Sequence, residues 1–397
     1  MKKNNLNIAI VVSHPIQHFC PQYISLSKIP NANVKVFFAS MLGYKRYFDA
    51  NFGNEIVWNN LRIEEFKHVF LNGDQVLPSD KNLEAPTLEN ELETFQPDAI
   101  ITYGYFQKFQ RACHKWANSK AIPLVYITDA ENRQHRKRYK NLAKFFALRW
   151  YFKKIDYFFT VGNANEDYYK LYGVNSKSFI RMHYPIDIEV YTKVYDEKEL
   201  HRKTIREKFG IPQDMFVISV VGKLVEWKNQ SHLIDLLQNL ERKAKKAHVI
   251  ILGTGTTLEE LKFEAAKLKS NVVHFAGFVD PIDLPKYYAA SDLYLHPARI
   301  EPHSLAISEA IFMGLPVVLS DRCGSYGEND DVQEGKNGYV YEFANIEEMS
   351  IKVIKLIEDK ALHKTFSNYS VKISRDFQKR AHGECLTDLI KRIKKNK

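Results

Sequence analysis

The first half of the chain alternates short apolar runs with longer stretches in which apolar residues recur every three or four positions. The short runs are typical of buried strands, and the recurring spacing is typical of helices. We predict strands over 7–13, 34–39, 98–103, 123–128 and 157–161, and helices over 18–28, 106–118, 139–154 and 163–171. Between residues 36 and 69 the pattern leaves two options open, because FGNEIVWNN and HVFLNGD suit either short strands or loops.

The same alternation restarts in the second half of the chain. Strands are predicted over 216–222, 248–253, 272–275, 293–296, 317–320 and 339–342, with helices between them and another helix over 346–358. Strands that alternate with helices form parallel sheets covered on both faces. The pattern therefore predicts an α/β protein of two doubly wound, Rossmann-like units. We place the join within 183–203, where Pro185 and the run IDIEVYTKVYDEKEL interrupt the alternation.

One stretch in the second half concentrates candidate chemistry: LYLHPARIEPHSLAISEAIFMGLPVVLSD, from residue 293 to 321. An apolar strand leads into a loop, a helical pattern begins near Ser304, and a Gly-Leu-Pro sequence ends the helix before the next strand. In such a unit, ligands bind at the carboxyl ends of the strands, beside the helix N-terminus. Glu301 precedes that helix start, and Glu309 lies inside the helix among apolar neighbours. Two glutamates near one helix are more often a solvated face, but this setting favours a pocket.

Two lysines follow a predicted strand in VVGKLVEWKNQSHLIDLL. The strand ends at Gly222, the loop carries Lys223 and Lys228, and a helix is predicted from near Asn229. Ammonium groups at the carboxyl end of a strand suit a diphosphate, although two surface lysines are an equally good interpretation of the pair alone. A second glycine turn, at Gly253, follows the next strand.

These stretches resemble the retaining nucleotide-sugar glycosyltransferases of family 4. That family's signature is two glutamates separated by seven residues in an E-P-x-x-L-x-x-x-E-A setting, and EPHSLAISEA over 301–310 matches it. The lysines resemble the family's Gly-Arg/Lys-Leu…Lys motif. Lys223 stands where an arginine is commoner, which keeps the charge but loses bidentate recognition. The resemblance covers nearly the whole chain and is most specific over 220–341.

The resemblance implies the GT-B fold, in which two Rossmann-like domains face a cleft and a C-terminal helix crosses back to the first domain. We expect an acceptor-binding domain over 1–190, a nucleotide-sugar-binding domain over 191–375, and the crossover helix with a basic tail over 376–397. Uridine is the base expected from family frequency.

The resemblance also implies roles for individual residues. Glu301 would contact the donor sugar, Glu309 the ribose, and the loop 274–280 the base. The implied catalytic residues are Glu301, Lys228 and Asp129. The implied donor-binding residues are Gly222, Lys223, Lys228, Gly253, Phe278, His303, Ser304, Leu305, Ala306 and Glu309.

The first domain departs from the commonest family pattern. SHPIQHF over 13–19 replaces a Gly-Gly turn, and Asp129 in YITDAEN stands where a histidine is common. A subset of the family resembles this chain in both features. We place Asp129 at the anomeric centre and His14, Gln17 and His18 on the acceptor side. A lone histidine or aspartate at such positions is otherwise a capping or core residue.

The net charge of +10 and a pI near 9.1 indicate an anionic partner. Residues 133–154 interleave basic and aromatic side chains, and the tail DLIKRIKKNK adds basic residues beside an apolar stripe. Both stretches suit an anionic membrane surface, nucleic acid, or a core helix with a solvated basic face. We favour the membrane over nucleic acid, because the rest of the chain resembles a nucleotide-sugar enzyme.

The opening MKKNNLNIAIVVSHP mimics a signal peptide, but its apolar run is short and predicts a first strand. No apolar run approaches the length that crosses a bilayer. Four scattered cysteines without CxxC spacing indicate free thiols in a reducing compartment. We expect a cytoplasmic protein, or one bound peripherally to the inner face of the cell membrane.

We therefore predict a retaining glycosyltransferase that moves a sugar from a UDP-sugar to a glycan or lipid-linked acceptor of bacterial surface polysaccharide, such as lipopolysaccharide. No cofactor and no divalent cation are expected, because Lys223, Lys228 and the helix start could supply the positive charge. A GT-B nucleotide-sugar epimerase and a catalytically silent binding subunit are the alternatives. Intact Glu301, Glu309 and Lys228 argue against the silent subunit.

Overall fold

The computed structural model describes residues 5–49, 54–132 and 139–396, and its first half is built around a parallel sheet. In chain order the elements are β1 (Leu6–Val12), α1 (Cys20–Ser27), β2 (Ala32–Phe38), β3 (Tyr47–Asp49), β4 (Asn54–Ile56), β5 (His68–Phe70), α2 (Leu88–Phe95), β6 (Ala99–Tyr103), α3 (Lys108–Ser119), β7 (Leu124–Ile127), α4 (Tyr139–Phe152), β8 (Tyr157–Thr160), α5 (Asn163–Leu171) and β9 (Phe179–Arg181). The five predicted strands are confirmed, and the open stretch before residue 69 contributes the short strands β4 and β5.

This sheet has the order β5-β2-β1-β6-β7-β8-β9, with every pairing parallel. The winding reverses at strand β1, because the chain proceeds from it to β2 and β5 on one side and then to β6, β7, β8 and β9 on the other. The residues of β1 are almost all buried, since helices cover both faces of the sheet. The loops after β1 and β6 therefore meet at a topological switch point, where ligands bind in such sheets. The hairpin of β3 and β4 is antiparallel and separate.

The second half repeats this plan. Its elements are α6 (Ile188–Asp196), α7 (Lys198–Lys208), β10 (Val217–Val221), α8 (Ser231–Arg242), β11 (His248–Leu252), α9 (Leu258–Ala265), β12 (Val272–Gly277), α10 (Leu284–Ala289), β13 (Leu293–His296), α11 (Leu305–Phe312), β14 (Val317–Ser320), β15 (Gly338–Tyr341), α12 (Ile346–Glu358), α13 (Lys360–Lys379) and α14 (Cys385–Asn396). The parallel order β12-β11-β10-β13-β14-β15 confirms the second predicted unit. Its switch point lies between β10 and β13.

The stretch 183–203 lies between the two sheets, as predicted, and two successive helices, α6 and α7, interrupt the alternation there. Asp187 starts α6 by accepting a hydrogen bond from the N–H of Val190 at 3.4 Å. Tyr191 and Val194 of this helix are buried in the core of the second domain. The helix predicted from near Asn229 begins two residues later, because Asn229 has a φ of 55° in the left-handed region.

The end of the chain crosses back to the first domain, as predicted. Helix α13 contacts α11, a π-helical turn spans Arg380–Glu384, and α14 then packs on the first sheet. The apolar stripe of α14 is buried in the first-domain core; its members are Leu386, Leu389, Ile390 and Ile393. This corrects the membrane interpretation of the basic tail, because the stripe is used for packing.

The expected domain limits of 1–190, 191–375 and 376–397 stay predictions, and residue 190 lies inside α6. All four cysteines are buried and free, as their spacing indicated. In residues 5–49, 54–132 and 139–396, no helix has both the length and the apolar character that crossing a bilayer requires.

Candidate functional site

The switch point of the second sheet brings Lys228 and Glu301 together. Lys228 ends a short 3₁₀ turn after β10, and Glu301 lies in the loop after β13. Because β10 and β13 are neighbours, the two loops meet, and Lys228 Nζ forms an ion pair with Glu301 Oε2. His296, the last residue of β13, places Nε2 at 3.3 Å from the same oxygen. A cation, a carboxylate and an imidazole thus share one buried corner of the cleft.

Electrostatics keep Glu301 ionised in spite of its burial. Burial alone would raise the pKa of its carboxyl group, but the contact with His296 and the charge of Lys228 outweigh it and hold the pKa at about 2. Burial lowers the pKa of His296 below its ordinary value. The imidazole is therefore neutral at pH 7, and Lys228 carries the positive charge.

Glu309 lies in the opposite environment. It is buried on α11, where its Oε2 accepts a hydrogen bond from the hydroxyl of Tyr288 at 2.9 Å. Burial raises the pKa of this carboxyl group from 4.5 to about 7. The two glutamates of one motif therefore differ in charge at neutral pH, since Glu301 is ionised and Glu309 is partly protonated.

The N-terminus of α11 is held in place by the loop 321–333. Ser304 is its N-cap, as predicted, and the backbone N–H of Ser304 donates to Ser325 Oγ at 2.8 Å. His303 Nε2 lies 3.1 Å from Asp331 Oδ2, which also accepts a hydrogen bond from Ser308 Oγ at 2.7 Å. Burial opposes the charged form of His303, but the bond to Asp331 outweighs it and raises the pKa of His303. This helix start, which includes the predicted Leu305 and Ala306, suits an anion.

A close approach of two backbones fixes the position of Glu301. The N–H of Gly324 donates to the carbonyl oxygen of Glu301 at 2.8 Å. A Cβ atom at residue 324 would lie 1.9 Å from the carbonyl oxygen of Pro302. Only glycine lets the loop 321–333 pass this close to the loop that carries Glu301.

The first domain contributes Asp129 from the loop after β7. Its Oδ2 accepts a hydrogen bond from the hydroxyl of Tyr184 at 3.2 Å, and the Tyr184 ring stacks on His303 with centroids 5.1 Å apart. Burial raises the pKa of Asp129, while the charge of His303 opposes that rise. Asp129 therefore faces the second domain at the place where Glu301 and His303 lie, as its predicted role requires.

The residues after β1 face the same cleft. Gln17 and His18 line a cavity that Leu305 and Glu309 line from the other domain. Burial lowers the pKa of His14 and of His18 to about 4, so both imidazoles are neutral at pH 7. The structure thus brings Gln17 and His18 to the cleft, and the contacts of His14, Gln17 and His18 with an acceptor stay predictions.

Two neighbouring cavities open in the cleft, and both are lined by Gln17 and Pro281. The one beside Glu309 has about 50 Å³, and the other has about 150 Å³. The larger cavity is lined by four of the predicted donor-binding residues, which are Gly222, Lys223, Gly253 and Phe278. Two further predicted donor-binding residues, Leu305 and Glu309, line the smaller cavity, and the contacts of all of them with a donor stay predictions.

The sequence did not reveal how the two domains hold each other beside this site. Asp330 of the second domain accepts two hydrogen bonds, at 2.9 and 3.0 Å, from the N–H of Asn163 at the start of α5. Arg181 of the first domain lies 3.2 Å from the same carboxylate. A Cβ atom at Gly162 would meet Asp330 Oδ1 at 2.7 Å, so the contact depends on that glycine.

Two parallel Rossmann-like sheets that face a cleft, with a terminal helix that returns to the first domain, define the GT-B class and confirm that prediction. Residues 201–373 match the family model described as "Glycosyl transferases group 1". This segment is therefore similar to the group 1 glycosyl transferases.

Two curated relatives match about half of the chain. The chain is 28% identical over 172 residues to the poly(glycerol-phosphate) alpha-glucosyltransferase of Bacillus subtilis. The aligned segment is 43% of this chain and 25% of that protein. It is 24% identical over 228 residues to the alpha-monoglucosyldiacylglycerol synthase of Acholeplasma laidlawii. This alignment covers 56% of this chain and 52% of the relative. The chain thus spans a quarter to a half of the length of these relatives.

Solved structures resemble the whole chain in fold. HepE of Anabaena, crystallised in complex with UDP, superposes on this chain with a TM-score of 0.71 at 18% sequence identity. The superposition covers 97% of this chain and 100% of the HepE chain. The complex of HepE with UDP-glucose superposes with a TM-score of 0.68 at 18% sequence identity, over 98% of this chain and 100% of the HepE chain.

Proposed function

We propose that this protein is a retaining glycosyltransferase that moves a sugar from a UDP-sugar to a glycan or lipid-linked acceptor in bacterial surface polysaccharide synthesis. The observation that carries the proposal is the cluster of half-buried Lys228 with buried Glu301 and His296, at the switch point of a domain similar to the group 1 glycosyl transferases. The UDP and UDP-glucose held by HepE support the donor class. The names of the two curated relatives, a glucosyltransferase and a glycolipid synthase, support the acceptor class.

The cluster suits the charges that develop in this reaction. As the bond between the anomeric carbon and the diphosphate oxygen breaks, negative charge grows on the leaving oxygens. Lys223, Lys228 and the N–H groups at the start of α11 would stabilise that charge, which is usually the largest catalytic contribution. Ionised Glu301 would accept hydrogen bonds from the donor sugar and hold it beside the lysines.

Retention follows from attack on the face that the diphosphate leaves. The acceptor hydroxyl oxygen bonds to the anomeric carbon while the carbon–phosphate oxygen bond breaks. The departing phosphate oxygen takes the proton of the acceptor hydroxyl. Asp129 would position the sugar at this centre from the first domain, next to Tyr184 and His303.

Thermal unfolding with UDP, GDP, ADP and their sugar conjugates, in the presence of a chelator, tests this proposal. A ligand that binds only the native state adds about 2.7 kcal/mol of stability at a hundredfold excess over its dissociation constant. We expect uridine nucleotides to raise the midpoint without metal. No shift with any nucleotide at millimolar concentration would indicate a silent binding subunit. Release of free nucleotide without an acceptor product would indicate an epimerase.

Peripheral attachment to the cytoplasmic face of the membrane is a further part of the proposal, and helix α4 supports it. Phe146 and Trp150 on this helix are exposed, by 61% and 63%. Lys154 Nζ lies 3.5 Å from the centroid of the Trp150 ring. Exposed aromatic rings beside basic side chains suit a surface of anionic headgroups. The basic residues 133–138 of the same stretch lie outside the described residues.

Vesicle binding tests this attachment. Wild-type protein should bind vesicles of anionic phospholipid and lose that binding as salt rises, because the attraction is electrostatic. Trp150→Ala should weaken binding several-fold. Phe263→Ala is the matched control, since Phe263 is 67% exposed beside Lys267 but lies on the second domain. Equal binding to neutral and anionic vesicles would contradict the proposal.

A further inference from the structure

The larger of the two cleft cavities has an aromatic side chain from each domain. Phe278 belongs to the segment after β12 in the second domain, and Trp58 belongs to the segment after β4 in the first. Most of the other lining residues are apolar; they include Val221, Leu252, Val279, Pro281 and Leu284. Lys223 also lines this cavity. The cavity therefore combines an apolar interior, two rings and one cation.

Trp58 is held in position by contact with a glycine. The N–H of Trp58 donates to the carbonyl oxygen of Gly43 at 2.9 Å. A Cβ atom at residue 43 would lie 2.3 Å from Cδ1 and 2.6 Å from Nε1 of the indole. The ring also packs against the first-domain core. The indole thus occupies a place that the fold prepares for it.

A hydrogen bond ties the two loops of this cavity together across the cleft. Asn59 Nδ2, next to Trp58, donates to Asp280 Oδ2 at 2.7 Å. Asp280 lies two residues after Phe278, and its Oδ1 accepts the N–H of Ile282 at 3.1 Å. This bond connects the loop of Trp58 with the loop of Phe278.

We propose that Trp58 forms the first-domain wall of the nucleobase site and stacks on the base of the nucleotide donor, together with Phe278. The inference rests on the proposed function and adds a base contact from the first domain. The base is the planar, aromatic part of such a donor, and it fits the cavity of about 150 Å³ better than the one of about 50 Å³ beside Glu309. Lys223 then meets the diphosphate.

Stacking on an indole suits a base, because aromatic rings attract each other in offset and edge-to-face arrangements. Stacking also removes the contacting faces of the base and the indole from water. The contact has a conformational consequence. Since Trp58 and Phe278 belong to different domains, a base that contacts both favours the arrangement in which the cleft is closed. Nucleotide binding would thereby bring the acceptor-side residues towards the donor before the acceptor arrives.

Calorimetric titration of Trp58→Ala with UDP and with inorganic pyrophosphate tests the inference. The variant should bind UDP about tenfold more weakly, equivalent to about 1.4 kcal/mol, and should bind pyrophosphate as the wild type does. Trp58→Phe should restore most of the loss, because it keeps a ring. Gly43→Ala should also weaken UDP binding, since it pushes the indole out of place without removing it.

Phe263→Ala is the control, because Phe263 is a 67% exposed aromatic side chain on α9 and lines neither cleft cavity. It should leave UDP affinity unchanged. Wild-type affinity for UDP in Trp58→Ala would overturn the inference and leave the proposed function intact. Equal weakening of UDP and pyrophosphate would also overturn it, because the loss would not depend on the base. Wild-type protein that binds no nucleotide would contradict the proposed function itself.

Discussion

Glu301→Ala should lower the turnover number by about two to three orders of magnitude, the scale for losing one contact made to the transition state. Glu301 is buried, ionised and paired with Lys228. Its removal would delete the carboxylate that we propose accepts hydrogen bonds from the donor sugar, and it would leave Lys228 without its partner. Nucleotide affinity should change much less, because Glu301 lines neither of the two cleft cavities in which we propose that the nucleotide binds. The measurement is the initial rate of sugar transfer at saturating nucleotide-sugar, with the donor chosen from the thermal shifts.

Two further variants make this result interpretable. Glu301→Gln keeps the shape of the side chain and removes its charge, so a similar loss would assign the effect to charge. Glu226→Gln is the control, because Glu226 lies in the neighbouring loop with 82% of its side chain exposed, 3.3 Å from Arg299. It should retain full turnover, and each variant should keep the unfolding midpoint of the wild type within a few degrees. Near-wild-type turnover in Glu301→Ala would contradict the catalytic role.

The architecture could be predicted because parallel strands covered on both faces must be apolar throughout. Strands β13 and β14 occur as LYLH and VVLS, and every one of their residues is buried. The motif around Glu301 and Glu309 could also be recognised, since the fold requires its loop, helix start and glycine at fixed spacing. The resemblance to a known motif therefore predicted most of the second-domain site residues, and their roles stay predictions.

Contacts between distant segments could not be predicted. Asp330 caps α5, and Tyr184 joins Asp129 to His303, but each partner alone is an ordinary polar or aromatic residue in its own segment. Helix α6 was missed because its apolar residues face the second domain rather than the first. Trp58 gave no signal, since it follows a strand of three residues and its role depends on Gly43.

The protonation of the site also depends on three-dimensional neighbours. His296 is part of an apolar strand and looks like a core residue in the sequence, yet it lies 3.3 Å from the carboxylate of Glu301. Glu309 is the second glutamate of the same motif and has hydroxyl groups, not cations, beside it. One motif therefore contains a carboxylate stabilised by a cation and a carboxyl group that burial keeps partly neutral.

The burial of Glu309 predicts a pH-dependent loss of stability that Glu309→Gln should remove. The pKa of this group is about 7 in the folded protein, against an ordinary value of 4.5. Between these values the folded state binds more protons than the unfolded state, so stability falls as pH rises through this window and levels off above it. From pH 5 to pH 8, the ionisation of Glu309 should cost the wild type roughly 2–3 kcal/mol of stability relative to the variant.

Chemical denaturation of both proteins at several pH values measures this difference, and only the difference isolates Glu309, because other buried carboxyl groups such as Asp330 titrate in the same range. Glutamine keeps an acceptor for the hydroxyl of Tyr288, so the variant should fold normally. Glu226→Gln, with its exposed side chain, should follow the wild-type profile. Parallel profiles for wild type and Glu309→Gln would show that Glu309 is ionised in the free protein, and the environment assigned to it would then be wrong.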